Sequence, residues 1–399
     1  MEFSVPEEAR HINRALDDFI EQEVKPLEDE HPKFFGEDRE RHIVDDENLQ
    51  CEEYRELVHR VKKKAAEAGF YGMEMPEEVG GGGVDILTRS IVGEHVANRE
   101  PGLHEYGVLG TEGGPTPILL ACNESQREKY LYPLMDAEIS SAFAISEPEC
   151  GSDPQYMNTT AEKDGDEWVI NGKKYWISNG PYADFAMVFA RTSGEDGDID
   201  GITCFLVDAE NPGYKVGKIH RTMGLTPGMQ SELIFDDCRV GKDQILGEVG
   251  EGFQTAMSWI GGGRLNIAAY TVGKAQYLLD LAVDYANQRE TFGTEIRNRQ
   301  GVSFPLADLA TDIEQTRLLY RYAAWKMDQD EHARKEESMA KLRGAELYNK
   351  AADVAMQVHG GAGFMKSLPI EHEYRAARVY RIFEGTDEIQ RRTIANELF

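Results

Sequence analysis

The hydrophobic period changes twice along this chain, and that change limits the folds open to it. Up to about residue 139, apolar residues recur at three- and four-residue spacing, as over 12–24, 51–69 and 86–98, which predicts amphipathic helices. From about 140 to 245 the period falls to two. Short segments at 141–146, 159–163, 167–170, 173–178, 185–191, 202–207 and 232–235 are rich in β-branched and aromatic residues. Asp164-Gly165 and Asn171-Gly172 fall between them and predict tight hairpin turns. From about 246 the helical period returns, over 264–288, 305–328 and 339–358, with a charged stretch at 328–335 expected as a solvated connection. The expected fold is therefore an α+β multidomain one. An N-terminal helical domain (1–139) precedes a middle antiparallel β domain (140–245) and a C-terminal helical bundle (246–399). The strands do not alternate with helices, so this is not a βαβ nucleotide fold. The glycine run at 80–83 lacks a preceding strand and a capped helix, and it is expected to be a flexible turn rather than a phosphate cradle.

The charge narrows the partners. Seventy-two acidic residues against 43 basic ones give a net charge of −29. Such a field repels nucleic acid and anionic membranes, and any anionic ligand needs local Arg or Lys. It also suits a high-salt medium, where repulsion is screened. No apolar run approaches the length of a bilayer span, and residues 1–8 lack the basic start and apolar stretch of a signal peptide. The five cysteines are widely spaced with no CxxC pair, which argues against a disulfide framework or a zinc site and for a reducing cytoplasmic setting.

Four motifs carry the chemistry. The first is Phe143-Ala144-Ile145-Ser146-Glu147-Pro148-Glu149-Cys150-Gly151-Ser152-Asp153, and the second is Trp176-Ile177-Ser178-Asn179-Gly180. The third is Arg289-Glu290-Thr291-Phe292-Gly293, with Gln300 a turn or two later. The fourth runs from Gln357-Val358-His359-Gly360-Gly361 to Phe383-Glu384-Gly385-Thr386-Asp387-Glu388. In this order and spacing, over nearly the whole length, the chain resembles the FAD-dependent acyl-CoA dehydrogenases.

The resemblance implies roles for these residues. Phe143, Ile145, Ser146, Gly151, Ser152, Trp176, Ile177 and Ser178 would bind the flavin. Ser178 stands where a Thr is often found and keeps the hydroxyl that reaches N5, while Trp176 covers one flavin face. Taken alone, Trp176 reads more readily as a core aromatic of the β domain, and the flanking Ser178-Asn179-Gly180 turns the reading to the flavin. Arg289, Thr291, Phe292 and Gln300 would contact the FAD of a neighbouring subunit, Arg289 at the pyrophosphate. Gln357, Gly360, Gly361, Thr386 and Glu388 would complete that site. The enzyme would then be a homo-oligomer, by resemblance a homotetramer.

Glu384 would be the catalytic base that removes the α-proton of the thioester, with Gly385 beside the carbonyl. Ser152 and Arg264 would face the CoA ester. The family's second base location falls on Gly263, which cannot act as one. The carboxylate often found three residues before the Arg is here Gly261, and the open glycines suggest room for a bulky acyl group. The acyl pocket would lie near Glu105, Tyr106 and Leu109, with Glu105 itself expected in solvent because a buried Glu is rare without a partner. The product would be a trans-2-enoyl-CoA, and the electron acceptor an electron-transfer flavoprotein. The long C-terminal extension of acyl-CoA oxidases is not seen. Glu384 argues against nitroalkane oxidase or desulfinase chemistry, and the acidity against a DNA-binding flavoprotein.

Overall fold

A computed structural model of the chain describes residues 4–399, except for the side chains of Ser258 and Trp259. The first three residues, part of the segment read for a signal peptide, lie outside the description. The N-terminal part is helical, with principal helices Glu7–Phe19, Glu52–Glu67 and Ile86–Ala97. Their apolar faces close on one core that includes Leu16, Leu57, Val61, Val92 and Leu103. Asp85 caps the third helix by accepting from Thr88 N–H. Asp328, expected in a solvated connection, instead accepts from the backbone N–H of Ile86 and Leu87 at 2.9 and 3.0 Å. A carboxylate from the distant C-terminal domain thus satisfies two orphan donors of this helix.

The middle of the chain forms one eight-stranded sheet. Its strands are β1 (Ser141–Ala144), β2 (Thr160–Asp164), β3 (Glu167–Ser178), β4 (Phe185–Arg191), β5 (Ile202–Asp208), β6 (Tyr214–Ile219), β7 (Gln230–Gly241) and β8 (Ile245–Leu246). The order is β6-β7-β3-β2-β4-β5-β8, mostly antiparallel, with β1 parallel to β4. Every residue of β4 is buried. Phe185, Met187 and Phe189 face the helices that carry Leu131 and Leu134, while Ala186, Val188 and Ala190 face the opposite core. Period-two alternation thus serves two apolar faces, which explains a nearly continuous apolar run in this strand.

The hairpin at Asp164-Gly165 forms as expected, with Asp164 opposite Glu167 and Gly165 at φ +65°. The one expected at Asn171-Gly172 does not. Here β3 runs straight through with a bulge, and a Cβ at Gly172 would lie 2.4 Å from Thr159 Oγ1. The glycine allows a close approach rather than a turn. β6 was not legible from the alternation because its partly exposed sequence, Tyr-Lys-Val-Gly-Lys-Ile, is broken by charge and glycine. The glycine run at 80–83 is a turn, but a packed one. Gly83 N–H donates to Met75 O at 2.9 Å, and a Cβ at Gly81 would collide with the Met75 backbone.

The C-terminal part is a bundle of helices Gly252–Gln288, Gln300–Asp328 and Arg334–His359, followed by Ile370–Ala377 and Asp387–Asn396. Its core is rich in alanine, with Ala268, Ala269, Ala275, Ala351, Ala352 and Ala355 all fully buried. Small side chains let these helices approach closely. Among the described residues, no helix is long and apolar enough to cross a membrane.

Candidate active site

Glu384 lies in the loop between Arg381 and the helix Asp387–Asn396. Its φ is +51°, a left-handed conformation that costs a non-glycine residue of order 1–3 kcal/mol. Several contacts hold it there. The fully buried Lys341 donates from Nζ to Gly385 O at 2.7 Å. Gln390, also fully buried, donates from Nε2 to Glu384 O at 2.9 Å and to Gly385 O at 3.1 Å. Arg381 Nε pairs with buried Asp387 at 2.6 Å, and Thr386 caps the helix by accepting from Ile389 N–H. The backbone is thereby fixed while the Glu384 carboxylate is left without a hydrogen-bond partner among the described residues.

Burial pushes the Glu384 carboxyl above the usual range, against the pull of the Arg264 and Lys341 cations. Burial likewise lowers Lys341 to about 8, opposed by Asp387 and Glu384. A carboxylate so placed is a proton acceptor of more than ordinary strength.

The glycine trio belongs to this site. Glycine within a helix costs roughly 0.5–1 kcal/mol each relative to alanine, so Gly261-Gly262-Gly263 inside the helix Gly252–Gln288 calls for a reason. A Cβ at Gly263 would stand 3.8 Å from Glu384 Oε2, so the two positions expected to offer a base lie side by side. A Cβ at Gly261 would meet the Glu337 carboxylate at 2.9 Å. The room expected there for a bulky acyl group is therefore occupied by Glu337, and only Gly262 opens onto free space. Buried Arg264 Nε has no hydrogen-bond partner among the described residues and lies in the field of Glu337 and Glu384.

A second group of residues is set by the strand β3. A register shift between Lys174 and Ile177 marks a bulge, and Trp176 there has φ +59°. The bulge re-aims the strand, so Trp176 and Ser178 both face outward while Ile177 points into the core. Trp176 is 53% exposed, which removes the reading of it as a core aromatic. Tyr175 N–H donates to Ser146 O at 2.9 Å and so ties the first motif to this strand. Phe143 and Ile145 send their side chains toward the core, Ser146 is half-buried, and Gly151 and Ser152 are exposed.

One arrangement here went unnoticed in the sequence. Glu147 and Lys174 are an almost wholly buried ion pair at 2.8 Å. Glu147 also accepts from the backbone N–H of Asn158 and Thr159, and Lys174 also donates to Ile145 O. The available signal was Lys174 on the inward side of strand β3, where the alternation calls for an apolar residue.

The third motif forms a small hairpin between β9 (Glu290–Thr291) and β10 (Thr294–Glu295), with Phe292 and Gly293 at positive φ. Phe292 is 97% exposed, Arg289 and Gln300 are exposed, and Thr291 is half-buried. Gln357, Gly360 and Gly361 end the helix Arg334–His359 at the surface, and Glu388 is exposed. Among the described residues, no hydrogen bond or ion pair joins this hairpin to the Ser146–Ser178 surface.

Glu105 is not in solvent. Lys274 Nζ lies 2.5 Å from Glu105 Oε1, and Tyr270 donates its hydroxyl to the same oxygen at 2.9 Å. Lys274 also pairs with Glu373 at 3.1 Å. Burial raises the Glu105 carboxyl, but Lys274, His104 and the Tyr270 hydroxyl outweigh it and hold the group below its ordinary value. The partner that makes burial tolerable is supplied from 169 positions away, beyond the reach of a local reading.

A partly buried carboxylate on a pinned loop, an outward tryptophan and serine on a bulged strand, and three domains in this order fit a flavin-type oxidoreductase. The chain belongs to the acyl-CoA dehydrogenase family. The family's N-terminal, middle and C-terminal domains match residues 6–138, 142–238 and 250–399. The chain is 38% identical to the 3-(aryl)acrylate reductase of Clostridium sporogenes, over 97% of both proteins. It is also 38% identical to the CarC subunit of the caffeyl-CoA reductase-Etf complex of Acetobacterium woodii, over 88% of this chain and 92% of that one. The structure of butyryl-CoA dehydrogenase from Megasphaera elsdenii superposes with a TM-score of 0.86 at 30% identity, over 100% of both chains. The chain is thus an FAD-dependent oxidoreductase acting on acyl-CoA.

The residues present fit that cofactor. An aromatic surface, hydroxyls and a guanidinium are offered outward by Trp176, Ser146, Ser178 and Arg289. A Cβ at Gly151, Gly360 or Gly361 would meet nothing within 4 Å, so these backbones border open space.

Proposed function

We propose that Glu384 is the base that removes the α-proton of the acyl-CoA thioester. The carrying observation is its carboxylate, half-buried and without a hydrogen-bond partner, on a strained loop fixed by Lys341 and Gln390. The α-hydrogen of a thioester is a weak acid, and a carboxylate raised above its usual range takes it more readily. Arg264 and Lys341 oppose the rise and favour the ionised form. Gly385 N–H, without a partner among the described residues, donates to the thioester carbonyl as negative charge grows there. FAD, when bound, supplies the hydride acceptor at N5 for the β-hydrogen, and the product is a trans-2-enoyl-CoA. Ser178 and Ser146 line the edge of the flavin ring, with the backbone of Phe143, Ile145 and Ile177. Trp176 covers one face of the ring and excludes water. Ser152 and Arg264 meet the CoA ester. Because a catalyst serves both directions, Glu384 donates the same proton when an enoyl thioester is reduced, the direction in which two relatives are named. Acyl-CoA bleaching of the oxidised flavin in protein holding about one FAD per chain tests this reading.

Arg289, Thr291, Phe292 and Gln300 are proposed to reach the FAD of a neighbouring subunit, with Gln357, Gly360, Gly361, Thr386 and Glu388 on the same side. Phe292 supports this, since its ring meets the Arg299 guanidinium at 5.7 Å yet remains 97% exposed on a hairpin tip, as a contact surface would. The assembly is then a homotetramer, and electron-transfer flavoprotein is the acceptor, in keeping with the Etf complex of the CarC relative. Arg289→Ala is expected to purify with reduced FAD and weaker assembly together. Full flavin occupancy in that variant would reduce Arg289 to a surface charge.

The same reading fixes a pH dependence. Catalysis needs Glu384 ionised, so kcat/KM falls as pH drops through its raised pKa. Lys341→Met removes one of the two cations that oppose the rise, and the acid limb is expected to move to higher pH. An unmoved limb with lowered activity would leave Lys341 a purely structural strut.

A further inference from the structure

A cavity of about 210 Å³ lies between the N-terminal helices and the sheet, lined by Tyr54, Lys62, Tyr106, Glu112 and Tyr182 among others. Glu384 does not line it, and nothing above accounts for it. Three phenol rings form its aromatic walls. Glu112 Oε2 is buried with no hydrogen-bond partner among the described residues. Lys62 Nζ is spent on the Glu112 backbone carbonyl at 3.1 Å and leaves that carboxylate oxygen unserved. Burial pushes the Glu112 carboxyl up to about 7 despite Lys62. A buried polar group left unsatisfied costs roughly 1–3 kcal/mol, so the site is built for a donor that arrives from outside.

A run of packed side chains joins the cavity wall to the reaction loop. Tyr106 follows Glu105, which accepts from Tyr270. Tyr270 stacks on Tyr380 with centroids 5.4 Å apart, and Tyr380 meets Phe383 at 5.0 Å, the residue before Glu384. A void of roughly 150 Å³ suffices for a benzene ring, so 210 Å³ holds an aryl group with a substituent. A neutral hydroxyl supplies the donor without adding a charge to a lining that already holds Arg55 and Lys62 beside Glu112, Glu138 and Asp184.

Resting on Glu384 as the base, we propose that this cavity is the far end of the acyl site. It takes the hydroxyaryl terminus of an acyl group, with the ring among Tyr54, Tyr106 and Tyr182 and the hydroxyl donating to Glu112. A site that pairs a substrate hydroxyl discriminates against the analogue that lacks it, because its own polar group is then stranded.

The test uses FAD-loaded enzyme and the ratio of kcat/KM for 3-(4-hydroxyphenyl)propanoyl-CoA over 3-phenylpropanoyl-CoA. The ratio is expected to exceed about ten in the wild type, to fall toward one in Glu112→Leu, and to be partly kept in Glu112→Gln, which retains an acceptor oxygen. Leu replaces an unsatisfied carboxylate, so the Leu variant is expected to melt no lower than wild type. A wild-type ratio near one, with butyryl-CoA still bleaching the flavin, overturns the hydroxyaryl site and leaves the dehydrogenase reading intact. A ratio that persists in Glu112→Leu overturns the role of Glu112. If no acyl-CoA bleaches the flavin, Glu384 as the base falls, and this proposal with it.

Discussion

Glu384→Gln is expected to slow flavin reduction by about two to four orders of magnitude, the usual worth of a positioned base. The substitution keeps the size of the side chain and its left-handed backbone, so FAD and acyl-CoA should bind as in wild type. Lys341 and Gln390 hold backbone carbonyls and not the carboxylate, and the loop keeps its anchors when the charge is removed. The loss then belongs to proton removal alone. Stopped-flow bleaching under anaerobic saturation with acyl-CoA measures it. Gly263 offers no rival carboxylate, and Glu337 sits beside Gly261 on the neighbouring helix. Reduction within a few fold of wild type would mean that another group, with Glu337 the first suspect, takes the proton.

The residues proposed to meet the flavin and the thioester were legible in the sequence because they lie in short contiguous motifs. Glu384, Trp176 and Ser178 could each be named from their neighbours. The residues that hold those groups were not legible. Lys341, Lys174 and Lys274 are fully buried lysines, each paired with a group 27 to 169 positions away. Local pattern reads a lysine as solvent-facing, and only a distant partner reverses that. Glu105 failed for the same reason. The fold followed the same division. The continuous apolar run of β4 was read in full, with both ends placed. β6 escaped, and Asn171-Gly172 mimicked a turn, because a bulge glycine and a turn glycine look alike until the strand that crowds them is known.

Lys174→Met is expected to cost about 3–5 kcal/mol of stability, because it leaves the Glu147 carboxylate buried without its cation. The pair is worth less than this figure suggests. Burying both charges is itself costly, so Glu147→Leu combined with Lys174→Met should recover much of the loss. The recovery would be incomplete for a local reason. Glu147 also satisfies the backbone N–H groups of Asn158 and Thr159, and Lys174 satisfies Ile145 O, and an apolar pair serves none of them. Those bonds hold the segment that runs from Ser146 through Ser152, on the proposed edge of the flavin. The single variant should therefore lose FAD as well as stability, while the double variant regains stability ahead of flavin affinity. Acid acts on the same pair. Lys174 and the backbone N–H groups of Asn158 and Thr159 hold Glu147 below its ordinary range although burial pushes the other way. Its contribution is thus present at neutral pH and disappears as pH falls through the lowered folded value. Urea unfolding and retained flavin absorbance, measured on the wild type and both variants, decide the matter. A single variant with the midpoint and flavin content of wild type would show that the pair is dispensable. Stability and flavin content falling in strict proportion across both variants would show that it acts on the β domain as a whole and not on this segment.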